Sequence, residues 1–224
     1  MFMNKEQIII IGSSGHAKVI IDIIEKSNQY EIAGLTNANP IIGETVLGYN
    51  ILGTDDDLAS IIDKHTTTNF IIAIGDNWTR KNVQQKIIAQ FPKAAFPTLI
   101  HPSAQIAKEV TIGQGSVIMA GAIINSSSNI GDFVIINTKS SIDHDNKIDN
   151  FASIGPNGTT GGNVSIGEFS VLGLSTTIKH GITIGKNCII GSAAFLNTNC
   201  DDNLVMFGLP AKKIKSRIQG EKYL

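Results

Sequence analysis

The sequence is poor in cysteine, in net charge and in long apolar runs. Only two cysteines are present, Cys188 and Cys200, and neither sits in a Cys-x-x-Cys pair. No secretory leader precedes them, so free thiols in a reducing cytoplasm are expected rather than a disulfide framework. The formal net charge is −1, which offers no electrostatic handle for nucleic acid or for a membrane surface. The apolar run in MFMNKEQIIIIGSSGHA ends at Gly12. It is too short to span a bilayer and lacks the charged start of a secretory signal. What remains is a chain of 224 residues, 42% hydrophobic and 17% charged, enough for one large or two small globular domains with a real core.

The first hundred residues alternate between two rhythms. QIIIIG is a buried-strand run ending in glycine, and HAKVIIDIIEKSN places Val19, Ile20, Ile23 and Ile24 at helical spacing. YEIAGLTN reads as a second strand. A polar link follows, then DDDLASIIDKH opens a helix on acidic residues. NFIIAIGDN is a third strand, TRKNVQQKIIAQF a third helix and KAAFPTLI a last short strand. Strand–helix alternation implies a small parallel α/β domain, whose ligands collect at the carboxyl ends of the strands.

From Ile106 the rhythm becomes six. Positions 106 to 196 in steps of six hold Ile or Leu in fifteen of sixteen cases, Thr160 being the exception. Chance would fill about two or three. Residues two before these positions are mostly small, such as Ser116, Ala122, Ser128 and Ser140, and glycines often follow them. This is the signature of a parallel β-helix, three hexapeptides to a coil. Sixteen hexapeptides make roughly five coils, stacked at about 4.8 Å. The handedness does not follow from the spacing.

Within this repeat, SIDHDNKID sets His144 between Asp143 and Asp145. The histidine lies two residues past an inward position, hence at an outward corner. An imidazole there suits a general base that titrates near neutrality, with a neighbouring carboxylate to fix its tautomer. A solvated polar corner fits the same spacing. His180 shares the phase of His144 two coils on, about 10 Å away, too far for a shared metal ion and so a surface residue. His101 is expected to be structural at the junction, and His65, ending a helix, to be solvated.

These motifs, with MFGLPAKKIK at the C-terminal end and AIGDNWTRK in the middle, resemble the sialic-acid O-acetyltransferase and UDP-amino-sugar N-acetyltransferase family of NeuD/PglD type. These are hexapeptide-repeat acyltransferases. The resemblance covers essentially the whole chain. It implies an N-terminal Rossmann-like α/β domain over 1–100, a left-handed parallel β-helix over 101–205 and a short C-terminal tail over 206–224. It also implies a homotrimer with acetyl-CoA bound between neighbouring prisms, no metal, and a nucleotide-sugar substrate.

Carried over residue by residue, the resemblance makes His144 the general base and Asp145 its partner. Gly161 and Gly162 are candidate oxyanion donors, or else merely permit a tight corner. Leu174 and Ser192 fall where backbone contacts to coenzyme A are expected, with Lys212, Lys213, Lys215 and Arg217 either near its phosphates or on a solvated helix face. Ser153 stands where some members carry a second histidine near the acetyl group. In the N-terminal domain, GSSGHA brings Ser14, Gly15 and His16 to the nucleotide-sugar phosphates or ring, with Asn37, Gly75 and Asn77 lining the same crevice. The end of the second strand has Thr36 and Asn37 in place of an acid, which disfavours NAD.

The activity expected is acetylation of a UDP-4-amino sugar. Sialic acid O-acetylation is the alternative within the same chemistry. A non-catalytic module binding coenzyme A and nucleotide sugar is the alternative outside it. A zinc carbonic anhydrase on the same scaffold is disfavoured, because three converging histidines are wanting.

Overall fold

The computed structural model describes residues 5–41 and 43–223. The chain divides into two compact units, 1–102 and 103–224.

In the first unit β1 (Glu6–Ile11), α1 (Gly15–Ser27), β2 (Tyr30–Thr36), β3 (Thr45–Val46), β4 (Tyr49–Gly53), α2 (Leu58–His65), β5 (Phe70–Ile72) and α3 (Asn77–Gln90) follow in order. The sheet order is β3-β4-β2-β1-β5, parallel except for β3 against β4. Ile8 to Ile11 are fully buried because β1 is central and covered on both faces. Ile20, Ile21, Ile23 and Ile24 of α1 are all buried, and the helix lies against β2. Asn28 ends α1 in the left-handed conformation, its N–H returning to Ile24 O at 3.0 Å.

The stretch expected to be a polar link contains the β3–β4 hairpin. Leu47 (φ 49°) and Gly48 (φ 88°) make its two-residue turn, and β4 adds to the edge of β2. The acidic run forms a short 3-10 turn, Asp55–Asp57, ahead of α2. There Thr54 and Asp57 exchange side-chain and backbone bonds as a capping box. His65 does end α2, but its Nε2 is shut off from solvent, contrary to the solvated role expected. His101 is buried, with Nε2 3.6 Å from Asp22.

The second unit is a left-handed parallel β-helix of triangular section. One face stacks Gln105–Ile106, Ile123–Ile124, Ser141–Ile142, Thr159–Thr160, Thr177–Ile178 and Phe195–Leu196. A second runs from Thr111–Ile112 to Thr183–Ile184, and a third from Val117–Ile118 onward to Leu204–Gly208. Partners within the coils lie eighteen residues apart, as in Ile124↔Ile142 and Ile136↔Ile154. From Ile118 to Leu196 each inward residue is at most 3% exposed. Ile106, in the first coil, is 37% exposed, because that coil has a coil on one side only.

Two details differ from expectation. The corners are not made by the glycines that follow each inward residue. A Cβ at Gly155 would lie 2.7 Å from Leu172 O, so that glycine permits the next coil to approach. The turn is made two residues later, where fifteen of the sixteen repeats hold a residue with positive φ. Only Gly115, Gly121 and Gly181 among them are glycines. The small inward serines also do more than leave room. Ser116 Oγ donates to Gly131 O at 2.8 Å and accepts from Val134 N–H at 2.9 Å, tying one coil to the next, and Ser170 repeats the pattern.

Phe133, Phe151 and Phe169 occupy successive corners and stack, with centroids 5.1 and 5.5 Å apart. After Leu204–Gly208 the chain turns back as Ala211–Ser216, antiparallel to it. Lys212, Lys213 and Lys215 therefore lie on an exposed strand rather than a helix face, and Arg217 is buried.

Replacing Phe151 by alanine breaks the stack in the middle. Chemical denaturation should show a loss of about 3–5 kcal/mol, as for other buried phenylalanines. A loss below about 1 kcal/mol would mean that the ladder contributes little.

Candidate active site

His144 and Asp145 stand at the corner that follows the first face. Asp145 occupies the left-handed corner position, φ 55°, a conformation that a short polar side chain tolerates better than most. Its carboxylate meets His144 Nδ1 at 2.7 Å, with both side chains about half exposed. The carboxylate holds the proton on Nδ1 and leaves the Nε2 lone pair free to accept another. This hydrogen bond chiefly, with the field of both flanking aspartates, raises the His144 pKa above its ordinary 6.5. Asp143 is occupied differently. Its Oδ1 accepts from His144 N–H at 2.9 Å and from Asn125 Nδ2 at 3.0 Å, which holds its carboxyl below the usual carboxylate range. Asp143 thus shapes the turn, and Asp145 partners the ring.

One coil on, the equivalent corner position is Gly162. A Cβ there would lie 2.5 Å from His144 Cε1 and 2.6 Å from Nε2, so the imidazole lies across a glycine that has no side chain to displace it. A further coil on stands His180. Two coils at strand spacing would separate the rings by about 10 Å, yet their centroids are 6.4 Å apart, tilted by 52°. The expectation of two remote rings is corrected. With no side chain between them at Gly162, the imidazoles lean toward one another. Among the described residues no group of three or more His, Cys, Asp or Glu is arranged to hold a metal ion.

The glycine pair separates into two roles. Gly161 N–H belongs to the coil ladder, donating to Ile178 O at 2.9 Å. Gly162 N–H has no acceptor among the described residues.

Leu174 and Ser192 share a different corner, the one after the third face. They stack one coil apart, both exposed, with Ala193 N–H reaching Leu174 O at 2.7 Å. Ser153 is a buried residue of the strand Ser153–Ile154, on the third face rather than at the His144 corner. The β-helix residues expected to form one site thus fall on two edges of a single prism, with Ser153 on neither.

In the first unit the expected residues gather at the carboxyl ends of β1, β2 and β5. Ser14 precedes α1 without making a side-chain cap bond. Gly15 has nothing within 4 Å of a built Cβ, so the approach to the helix N-terminus is open. Asn37 Oδ1 accepts from Asn39 N–H at 3.1 Å and shapes the loop after β2. Asn77 is fully buried, and its Oδ1 accepts from Arg80 at 2.8 Å. Arg80, within the quoted AIGDNWTRK but given no role there, is the organiser of this edge. It is buried and also donates to Ile74 O and Gly75 O, each at 2.9 Å. His16 is largely buried beside it. Burial first, and the Arg80 charge second, lower its pKa to about 4, so its ring is neutral at pH 7. Its Nε2 is inaccessible to solvent and has no partner among the described residues.

Known proteins resemble this chain over nearly its whole length. The PglD N-terminal domain family matches residues 7–87. UDP-N-acetylbacillosamine N-acetyltransferase of Bacillus subtilis is 32% identical over 115 residues, 51% of this chain and 52% of that protein, so the match spans about half the length of this curated relative. PerB from Caulobacter crescentus, solved with CoA and GDP-perosamine, is 33% identical over 93% of this chain and 97% of its own, with a TM-score of 0.87. Two other structures of that perosamine N-acetyltransferase carry a histidine replaced by asparagine or by alanine. The acetyltransferase domain of PglB from Neisseria gonorrhoeae, solved with acetyl coenzyme A, is 30% identical over 94% of this chain and all of its own, with a TM-score of 0.86.

Two outcomes test the site. Gly162→Ala should leave the fold intact by circular dichroism but push the His144 ring aside and cut turnover by about tenfold or more, the scale of a small misplacement of a catalytic group. The His16 ring should make the unit acid-sensitive. Because its pKa is lowered on folding, the unfolded chain binds the extra proton. The stability it contributes is full above pH 6.5 and lost as pH falls toward 4, up to about 3 kcal/mol. Denaturation of His16→Gln across that range should lack this component.

With the fold, the histidine–aspartate corner and whole-length similarity in agreement, the chain belongs to the NeuD/PglD-type family of hexapeptide-repeat sugar acetyltransferases.

Proposed function

We propose that this protein transfers the acetyl group of acetyl-CoA to the amino group of a nucleotide-linked 4-amino sugar, with His144 as general base. The observation that carries the reading is the oriented imidazole: Nδ1 held by Asp145 at 2.7 Å, and the Nε2 edge lying across Gly162. His144 Nε2 takes the proton of the amine as the nitrogen attacks the thioester carbonyl carbon. Asp145 stabilises the imidazolium that forms. The N–H of Gly162, without an acceptor among the described residues, would meet the carbonyl oxygen as it gains charge. When the C–S bond breaks, the imidazolium returns its proton to the departing thiolate, and His144 is neutral again.

Leu174 and Ser192 lie on another edge of the prism than His144. A homotrimer accommodates this, since one protomer then presents its coenzyme edge to the histidine edge of the next. In the first unit, the open N-terminus of α1 with Ser14 and Gly15 suits a diphosphate. The buried, neutral and unpaired Nε2 of His16 suits a polar group of the nucleotide sugar. UDP is the nucleotide in the name of one relative and GDP the one bound in another. The N-acetyl relatives favour an amine over a hydroxyl acceptor.

Thiol release from acetyl-CoA, measured against UDP-, GDP- and dTDP-4-amino sugars and free sialic acid, should show turnover with at least one nucleotide sugar and none with sialic acid. His144→Ala should slow it by about two orders of magnitude or more. The base works only when neutral, so kcat/KM should rise with pH through a limb lying above 6.5. Asp145→Asn, which removes the main cause of the raised value, should move that limb downward. An unmoved limb would separate Asp145 from the base.

A further inference from the structure

Thr160 breaks the rule that builds the prism. It is the one inward position of sixteen without an aliphatic side chain, and its counterparts one coil either way are Ile142 and Ile178. It is 3% exposed, so its hydroxyl gives up methyl packing and needs a partner inside an apolar column. Its Oγ1 accepts from Asp143 N–H at 3.2 Å. Asn146 is a second exception. It fills an inner corner position that Val134 and Val164 hold elsewhere, and it is 1% exposed. Its Nδ2 donates to Asp143 O at 2.7 Å, His144 O at 3.1 Å and Gly161 O at 3.0 Å. Its Oδ1 is buried with no partner among the described residues, a cost that packing alone would not retain. From the coil before, Ser128 Oγ donates to Asp143 O at 2.8 Å and accepts from Asn146 N–H at 3.2 Å. Both exceptions therefore sit behind one corner, and most of their bonds end on the backbone of residues 143 and 144.

We propose that Thr160 and Asn146 are positioning residues, an inward polar bracket that fixes the backbone of 143–145 and so aims the His144 ring and its Asp145 partner. This rests on the reading of His144 as general base. The physical need is plain. Both side chains of the pair are about half exposed, so little packing holds them. Their direction must come from the backbone that carries them.

The test is Thr160→Val, which keeps the branched shape and removes the hydroxyl, and Asn146→Val, which the repeat itself carries at the equivalent Val134 and Val164. A Ser116→Ala control removes an inward hydroxyl of the same kind at a corner without histidine. Each bracket variant should keep its Tm within a few degrees of the parent and its KM for both substrates, while kcat falls about tenfold, as expected when a catalytic group is misaimed. Thr160→Ser, which keeps the hydroxyl, should hold kcat within about twofold of the parent. Ser116→Ala should lose stability and keep kcat. Should a valine variant be unfolded at the assay temperature, Thr160→Ala against Thr160→Ser decides in the same way. Parental kcat in both bracket variants, or a rise in KM alone, overturns the proposal. His144→Ala is run alongside. If it is slow while the bracket variants are normal, only the bracket fails; if it turns over at the parental rate, the base reading fails and the bracket with it.

Discussion

The eighteen-residue register between coils is the constraint from which the rest of the β-helix follows. Each parallel strand bonds to the strand eighteen residues away, so every outward position belongs to a column whose members repeat at that interval. A column is a chemical unit. His144, Gly162 and His180 form one, and what happens at His144 depends on what its column mates lack. Gly162 supplies the space in which the imidazole lies, and the same gap brings His180 to 6.4 Å. Inside the prism the register works in the same way: Ser128 from the coil before and Thr160 from the coil after meet the His144 corner, where Asn146 of the same coil joins them.

Burial sets two histidines to opposite uses. His144 stays in contact with water and gains an aspartate, so its pKa rises above the ordinary value. His16 loses water and faces a buried arginine, so it stays neutral down to about pH 4. The first is suited to moving a proton, the second to offering a fixed hydrogen-bonding group. Arg80 costs desolvation wherever it is buried, and its acceptors offset it, among them two carbonyls of the loop after β5 and the side chain of Asn77.

Much of this was legible in the chain. The six-residue beat named the inward residues, and those from Ile118 to Leu196 are all buried. SIDHDNKID placed His144 at an outward corner beside its carboxylate, as found. Three things were less visible. The β3–β4 hairpin hid in a polar stretch because Thr45–Val46 is too short to show a period. The corners hid because Phe, Asn, Ser and Asp carry the positive φ that glycine usually signals. The Thr160 contact hid because Thr160 looks like a lapse in the repeat, and only the structure shows that its hydroxyl accepts from Asp143 N–H.

Composition and periodicity by themselves determined the two architectures and the inward face of every coil, because these depend on local spacing; the candidate base was named by the family resemblance of its motif. Spacing alone left Asp143 and Asp145 level, the resemblance named Asp145, and the structure shows it at the ring; tertiary structure alone decided which glycine of the pair has an N–H without an acceptor among the described residues and how near His180 comes. Each of those is a contact between residues seventeen to thirty-six positions apart or a choice between equivalent neighbours. Spacing ranks such neighbours equally, and only the packed corner, with its left-handed turn at Asp145, breaks the tie.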